Sequence, residues 1–269
     1  MTLSFRNGLL TFLLIAAVVA GALDAYLAVL AGQSFGWHAT VPVHEQVLFW
    51  FWKHPASHTS LMSFVWQELF LMPVVIVGLF YLRILFRKTS APEVFFFAFF
   101  LFSLVGESFR VSQVFFVLNE SSFFWGIALT RTVWSLRLFG LFMLFAASLF
   151  TLEFNYQKFG NFVGLSLGLA LFLGVNLTIQ TTVLDSDGLY SPGDERGLAF
   201  IFIFLGALAL VSFSVAAFLG KKSHGLSQLA AAVLFLIASQ MTYFCIPWAP
   251  LLLLPALGLL ENTVQQTYL

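Results

Sequence analysis

The chain has 269 residues, of which 60% are hydrophobic and only 9% are charged, whereas soluble domains have roughly 45 to 50% apolar and about 25% charged residues. This composition excludes a water-soluble fold, because too little polar surface remains to cover a core. The formal net charge is +0, from 12 basic and 12 acidic residues, which removes the electrostatic basis for binding nucleic acid. We therefore expect an integral membrane protein whose first partner is the lipid bilayer.

Seven apolar runs are long enough to cross a hydrocarbon layer of ~30 Å, which takes about 20 helical residues. In chain order they cover 9–30, 62–85, 94–117, 127–152, 162–183, 197–219 and 226–249. The runs are apolar on every side and do not alternate with a period of two, which predicts helices and not barrel strands. No linker or low-complexity tract divides them. We expect an all-α, polytopic bundle of seven transmembrane helices that forms one domain over residues 1–269.

The last apolar run is longer than one crossing needs, because the chain stays apolar over 226–260. Pro247, Pro250 and Pro255 interrupt it, and each proline lacks a backbone donor and disfavours the preceding helical turn. We predict that the crossing ends near Cys245 and that a short segment then lies along the membrane interface.

Basic residues in the loops predict the orientation. Seven of them fall on one side of the predicted bundle: Arg6, Arg83, Arg87, Lys88, Lys158, Lys221 and Lys222. Because loops rich in Lys and Arg stay in the cytoplasm, the N-terminus is predicted to be cytoplasmic and the C-terminus extracytoplasmic. We expect a bacterial cytoplasmic membrane. The loops are short and contain no Gly-rich phosphate-binding motif, so any energy coupling must come from a partner protein.

Ionisable side chains inside the predicted spans are the most informative feature. They are three acids and three bases: Asp24, Glu68, Glu107, Arg110, Arg131 and Arg137. A lone charge near the membrane centre costs about 2.5 to 3.5 kcal/mol, so we expect these groups to pair. In the predicted orientation most of them lie in the outer halves of the helices, while the inner halves are almost purely apolar. This asymmetry predicts a polar cavity in the outer half of the bundle, above packed Phe and Leu side chains.

The candidate ligand-binding residues are Asp24, Glu68, Glu107, Arg110, Gln113, Arg131, Trp134, Arg137 and Gln240. The three arginines are suited to anchoring a carboxylate or phosphate. The acids Glu68 and Glu107 are suited to accepting a proton or a cation. The alternative interpretation is a buried network that fixes the order and register of the helices and binds no ligand.

The loop between the first two spans contains four of the five histidines, His38, His44, His54 and His58. The spacing of His54 and His58 places both rings on one face if the segment is helical, so His44, His54 and His58 are candidate ligands for a divalent metal. The Trp- and Phe-rich segment 47–53 favours a second interpretation. Such residues prefer the headgroup zone, which predicts a short interfacial helix over the cavity mouth.

Two further patterns concern packing. Gly160, Gly164 and Gly168 repeat every four residues, which favours close helix packing within the bundle or, alternatively, contact with a protein partner or a second copy of the chain. The phenylalanine cluster 95–102 surrounds its helix, so we expect it to contact lipid, with a site for a polyene or an acyl chain, such as that of a bound lipid, as the alternative.

These features are compatible with three functions. The first is a non-catalytic membrane protein that binds a small amphipathic or anionic ligand in the outer-half cavity, as a receptor or sensor or as the membrane subunit of a larger complex. The second is a proton-coupled secondary transporter for a small solute or lipid, with Asp24, Glu68 or Glu107 carrying protons. The third is a metal-dependent membrane enzyme that uses the histidine-bearing loop. The lack of catalytic and energising motifs favours the first.

Overall fold

In the computed structural model the described residues are 3–43, 45–49, 52–55, 58–89, 91–121, 123–151, 159–219 and 225–268. They are mostly helical, which confirms the all-α class. The helices are α1 (Leu3–Phe35), α2 (Leu61–Thr89), α3 (Pro92–Ser103), α4 (Phe109–Leu118), α5 (Phe123–Thr151), α6 (Phe159–Val175), α7 (Glu195–Leu219), α8 (Gly225–Tyr243) and α9 (Leu253–Tyr268).

Six helices of the described chain are long and apolar enough to cross a membrane, which indicates an integral multi-pass membrane protein. They are α1, α2, α5, α7, α8 and a continuous span, Pro92–Leu118, in which α3 and α4 are joined by the 3-10 segment Leu104–Ser108. The predicted fifth span, 162–183, is shorter in the structure. Its helix, α6, ends at Val175, because the polar and β-branched residues that follow favour an extended strand.

Short antiparallel strands occupy the connections at one end of the bundle, which we call the hairpin end. Strand β1 (Thr40–Pro42) pairs with β4 (His58–Ser60), and β2 (Glu45–Phe49) pairs with β3 (Trp52–Pro55). Strand β5 (Ile179–Leu184) pairs with β6 (Tyr190–Pro192) in the connection between α6 and α7. The first of these connections is where the sequence predicts an interfacial helix. The described residues there form strands instead, since Val, Phe and Trp suit strands as well as the membrane interface.

The chain reverses after α8 and returns along the bundle. Cys245 has a φ of 59°, and a short 3-10 segment, Ala249–Leu252, leads into α9. The hydroxyl groups of Ser227 and Thr263 are hydrogen-bonded, which places the start of α8 beside the end of α9. The two ends of the chain therefore lie at the same end of the bundle, whereas the sequence analysis predicts opposite sides and an interfacial segment.

Helix α9 packs into the bundle because it carries one apolar stripe. Its buried apolar residues recur three or four positions apart along one helical face: Leu253, Ala256, Leu257, Leu260 and Val264. Its acid Glu261 interacts with Tyr81 in the half of α2 that lies away from the hairpin end.

The half of the bundle away from the hairpin end is filled by aromatic rings. Phe95, Phe96, Phe97 and Phe100 of α3 are fully buried, and the Phe96 ring stacks on Phe150 with centroids 4.8 Å apart. The sequence analysis expects this cluster to contact lipid. The structure corrects that expectation because the span Pro92–Leu118 is central, with 89% of its most apolar window buried. We call these four rings with Phe150 and Phe235 the aromatic core.

Candidate functional site

A change of helix type places the central carboxylate. The 3-10 segment Leu104–Ser108 interrupts the third span, and such segments inside long helices mark strain or a functional position. Glu107 lies in this segment with 0% exposure. Its neighbour Gly106 lets α5 approach, because a Cβ at this position would lie 2.7 Å from the side chain of Leu136. The sequence thus brings a buried acid close to the polar face of α5.

Glu107 binds two arginines. It accepts two parallel hydrogen bonds from Arg137 of α5, at 2.8 Å from Nε to Oε1 and 2.9 Å from Nη2 to Oε2. It also forms an ion pair with Arg110, one turn further along its own span. Bidentate pairs between arginine and a carboxylate are among the strongest polar contacts in proteins. The sequence analysis places all three residues in one polar cavity, and the structure brings them into direct contact.

Arg110 links three spans through its two terminal nitrogens. It donates to Oε1 of Gln67 in α2 at 2.9 Å and to the main-chain carbonyls of Thr242 and Tyr243 at 3.0 Å each. Those carbonyls lie in the last turn of α8, where helical partners are missing and a cation is favoured. Arg110 also donates to the sulfur of Cys245 at 3.0 Å. Burial raises the pKa of this thiol to about 12, so the sulfur is a neutral acceptor at neutral pH.

The fourth charge comes from outside the helices. Asp187 lies in the turn between β5 and β6 and accepts a hydrogen bond from Nη2 of Arg137 at 3.1 Å. Its other oxygen accepts the main-chain N–H of Leu189 at 3.1 Å, and Gly188 supports the turn with a φ of +79°. The Arg137 guanidinium also lies over the rings of Trp134 and Tyr243, at 4.5 and 4.8 Å from their centroids. We call Glu107, Arg110, Arg137 and Asp187 the ion-pair cluster.

Asp187 is not among the residues predicted from the sequence, because the predicted fifth span extends to 183 and no role is assigned to the acidic loop that follows it. The available signal was the Asp-Ser-Asp-Gly segment at 185–188, since Asp and Gly are typical of tight turns. A turn there brings the loop back toward the bundle, and it lets an acid reach a buried base.

The ion-pair cluster is balanced by itself, with two bases and two acids. Arg110 and Arg137 have 1% and 2% exposure and are engaged by protein acceptors. The geometry therefore favours the structural-network interpretation for these arginines over an anion site. Arg131 is half-buried and lies nearer the start of α5, toward the hairpin end. It donates a hydrogen bond of 3.2 Å to the main-chain carbonyl of Leu177, just beyond α6.

The remaining polar candidates lie around this cluster. Gln113 of α4 is fully buried, and Gln240 of α8 is half-buried. The ring of Trp134 lies against the Arg137 guanidinium. Among the described residues, neither the oxygen nor the nitrogen of the Gln113 amide has a hydrogen-bond partner.

Two further acids line a cavity of about 350 Å³ between α1 and α2. One of them, Glu68, is close enough to Arg110 of the ion-pair cluster to interact with it electrostatically. We call this cavity the α1–α2 groove. Its lining consists of Gly21, Asp24, Ala25, Ala28, Val29, Trp37, Val65, Glu68, Leu69, Met72, Pro73 and Ile76. Asp24 and Glu68 have 5% and 7% exposure. Within the described chain, neither carboxylate oxygen of Glu68 and not Oδ1 of Asp24 has a hydrogen-bond partner.

The groove is mostly apolar and opens sideways. Val29 and Leu69 line it and are exposed on the outside of the bundle, where lipid would lie. Trp37, just after α1, lies against Gly32, where a Cβ would come within 2.6 Å of its ring. Since α1 ends and α2 begins at the hairpin end, Asp24 and Glu68 occupy the halves of their helices nearest that end.

The predicted metal ligands are not brought together by a helix. His44 lies outside the described residues, His54 is in β3 with a side chain that is not described, and His58 is exposed in β4. His54 and His58 lie in two different strands, so the helical rule that places residues four positions apart on one face does not apply to them. Over the described ranges, no group of three or more His, Cys, Asp or Glu side chains is placed to hold a metal ion.

The glycine repeat of α6 faces open space. A Cβ on Gly164 or Gly168 would meet no atom of the described chain within 4 Å. In the described structure Gly164 and Gly168 therefore do not pack against another helix of the bundle, contrary to the favoured prediction. Contact of Gly160, Gly164 and Gly168 with another protein or another copy stays a prediction.

Comparisons of the chain with protein-family models, curated proteins and solved structures give no match. Function is therefore inferred from the geometry and chemistry of the two sites.

Proposed function

We propose that the protein binds a small amphipathic molecule in the α1–α2 groove, as a receptor or sensor or as the membrane subunit of a larger complex. The observation that carries this proposal is an apolar cavity of about 350 Å³ with two buried carboxylates in it. Ligand sites are typically concave, mostly apolar and supplied with a few polar groups that fix orientation, and volumes of roughly 300 to 1,000 Å³ are usual.

The proposed orientation follows the basic residues. Arg83, Arg87 and Lys88 lie in the last turns of α2, and Arg6 lies near the start of α1, all at the end away from the hairpins. By the positive-inside rule this end is cytoplasmic and the hairpin end is extracytoplasmic. With α6 and α9 counted beside the six long spans, we propose eight membrane-inserted helices with both chain ends in the cytoplasm, in place of the seven predicted, and a bacterial cytoplasmic membrane as the location.

Access from the lipid supports an amphipathic ligand. The exposed residues Val29 and Leu69 form the rim of the groove, so an alkyl chain can enter from the bilayer without crossing a polar surface. The buried carboxylates of Asp24 and Glu68 are suited to the polar end of such a molecule. A fully hydrophilic solute would have to cross the apolar rim, which is unfavourable.

A proton-coupled transporter is the second candidate, and the unpaired acids Asp24 and Glu68 favour it. Alternating access, however, requires a route to both sides of the membrane. The aromatic core fills the half of the bundle away from the hairpins, so the structure supports binding better than transport. The metal-dependent enzyme stays a prediction, since it depends on His44 and on the side chain of His54.

A photo-crosslinking experiment tests the binding proposal. The probe is dodecanol with a diazirine in its alkyl chain, added to the full-length protein in zwitterionic lipid nanodiscs. We expect peptide mass spectrometry to locate the label on α1 and α2 beside the groove. Ala25→Trp should reduce this labelling at least tenfold, because Ala25 lines the groove and the larger ring fills it.

The matched control is Ala22→Trp, one turn earlier on the same helix. Ala22 is exposed and does not line the groove, so the same substitution there should leave the labelling within about twofold. Equal labelling of the two variants, or label spread evenly over exposed helix faces, would show ordinary lipid contact and overturn the proposal.

A further inference from the structure

We propose that the α1–α2 groove selects a cationic amphiphile, an alkyl ammonium whose head is held between Asp24 and Glu68. This inference rests on the proposed function, because it names the chemical class of the ligand for the same groove. It also reverses the sign of the charge, since the arginines of the bundle favour an anionic ligand when only the sequence is considered.

The first step is the distribution of charge. The ion-pair cluster uses Arg110 and Arg137 on Glu107 and Asp187, and Arg131 donates to a main-chain carbonyl. The described residues that line the groove include two acids and no basic side chain. A buried carboxylate must carry a proton or meet a cation, because an isolated charge in this medium is very costly. The described lining of the groove therefore offers acceptors to a positive head group and no basic partner to a negative one.

The second step is the number of hydrogen-bond acceptors. A primary ammonium has three N–H donors. The carboxylates of Asp24 and Glu68 provide acceptors without described partners. An alcohol of the same chain length brings one donor and no charge, so it leaves acceptors unmet.

The third step separates an organic cation from a metal ion. Calcium requires six to eight oxygen ligands and magnesium requires near-octahedral geometry. The groove walls are formed mainly by aliphatic and aromatic side chains, among them Val29, Val65 and Ile76. These walls complement an alkyl chain and supply no ligands to a metal, so the groove fits a head and a tail together.

The experiment measures competition against the diazirine dodecanol probe in zwitterionic nanodiscs at pH 7. The competitors are dodecylamine, dodecanol and dodecanoate. We expect dodecylamine to displace the probe at a concentration about 10- to 100-fold lower than dodecanol, as charge-assisted hydrogen bonds to buried groups imply. Dodecanoate should compete least, because the described lining provides no basic side chain to pair with its carboxylate.

Three variants assign the preference to the carboxylates. In the double variant Asp24→Asn with Glu68→Gln, dodecylamine and dodecanol should compete equally, while labelling by the probe itself is retained. Glu68→Asp keeps the charge and should keep the preference within a few-fold. Glu120→Gln is the matched control, since Glu120 is an exposed acid at the hairpin end and its loss should change nothing.

The outcomes distinguish this inference from the proposed function. Equal competition by all three amphiphiles in the unmodified protein, or an amine preference that survives the double variant, overturns the cationic assignment and leaves the amphiphile site intact. Displacement of the probe by millimolar Ca²⁺ or Mg²⁺, with no preference for dodecylamine, also overturns it and assigns the acids to a metal. Absence of specific probe labelling in the groove overturns the proposed function itself.

Discussion

Removing the central carboxylate should destabilise the bundle more than any other single polar substitution in the cluster. In Glu107→Leu, Arg137 loses hydrogen bonds of 2.8 and 2.9 Å and Arg110 loses its ion pair. Both guanidinium groups stay buried, at 1% and 2% exposure. Loss of one partner from a buried ion pair costs about 3 to 5 kcal/mol, and we expect a loss of unfolding free energy in that range.

Graded variants make this expectation specific. Glu107→Gln keeps one carbonyl acceptor and the side-chain shape but removes the charge and turns an amide N–H toward an arginine donor, so we expect a loss near the lower end of the same range, about 3 kcal/mol. Asp187→Asn removes one contact of 3.1 Å from a side chain with 13% exposure, and it keeps an oxygen for the Leu189 N–H, so a loss of about 1 kcal/mol is expected.

The assay is reversible unfolding in mixed micelles of increasing SDS fraction, followed by circular dichroism. Glu120→Gln serves as the control, because substitutions of exposed residues usually change stability by less than about 0.5 kcal/mol. If Glu107→Leu costs less than about 1 kcal/mol, or no more than Asp187→Asn, then Glu107 is not the acceptor that balances both arginines, and the assignment of the cluster is refuted.

Two further predictions concern the fold. Gly140→Ala should destabilise the bundle by about 1 to 3 kcal/mol through overpacking, because the added Cβ would clash with the Ser103 hydroxyl. In the same SDS titration, adding Ser103→Ala should recover most of the loss. Gly164→Ala should be neutral or slightly stabilising, because no atom of the described chain lies within 4 Å of its added Cβ. A green fluorescent protein fused to the C-terminus should fluoresce in bacterial cells, because the return of α9 places that end with Arg6 on the cytoplasmic side; an active alkaline phosphatase fusion at the same position, with no fluorescence, would place the C-terminus outside.

The sequence predicts the parts of the structure that depend on hydrophobic length. Spans one to four, six and seven are long apolar runs, and each has its helix in the structure. The pairing of Glu107 with arginines is also predictable, because unpaired charges inside a membrane cost several kcal/mol. These inferences need only composition, spacing and the thickness of a bilayer.

The parts that the sequence does not predict depend on tertiary contacts. Apolar length alone cannot distinguish the second half of the predicted fifth span from a strand, and Ile179–Leu184 pairs with β6. Likewise the phenylalanines of α3 look the same whether they face lipid or neighbouring helices, since both surroundings are apolar. Their burial follows from the central position of α3, which depends on where every other helix lies.

The site is predictable in membership but not in grouping. All three in-span acids and all three in-span bases are candidates from sequence, and simple counting suggests that they neutralise one another. Asp187 changes that count, because it lies in the β5–β6 turn and accepts a hydrogen bond from the Arg137 guanidinium. Once this acid is added, Arg110 and Arg137 are balanced without Asp24 and Glu68, so one predicted cavity becomes two sites.

The two sites differ in what they require from the rest of the protein. The charges of the ion-pair cluster are balanced within the chain, and the cluster ties α2, α4, α5, α8 and the β5–β6 hairpin to one another. Asp24 and Glu68 are not needed for that. Left charged and unpaired in a membrane, the two groups would cost about 5 to 7 kcal/mol at 2.5 to 3.5 kcal/mol each, so without a cation they carry protons and are buried as neutral acids with oxygens that lack hydrogen-bond partners in the described chain. Apolar residues at both positions would avoid that burial cost. A bound cation lets the acids ionise against it and supplies the missing hydrogen-bond donors, and this is why the groove, and not the cluster, is the place to look for a ligand.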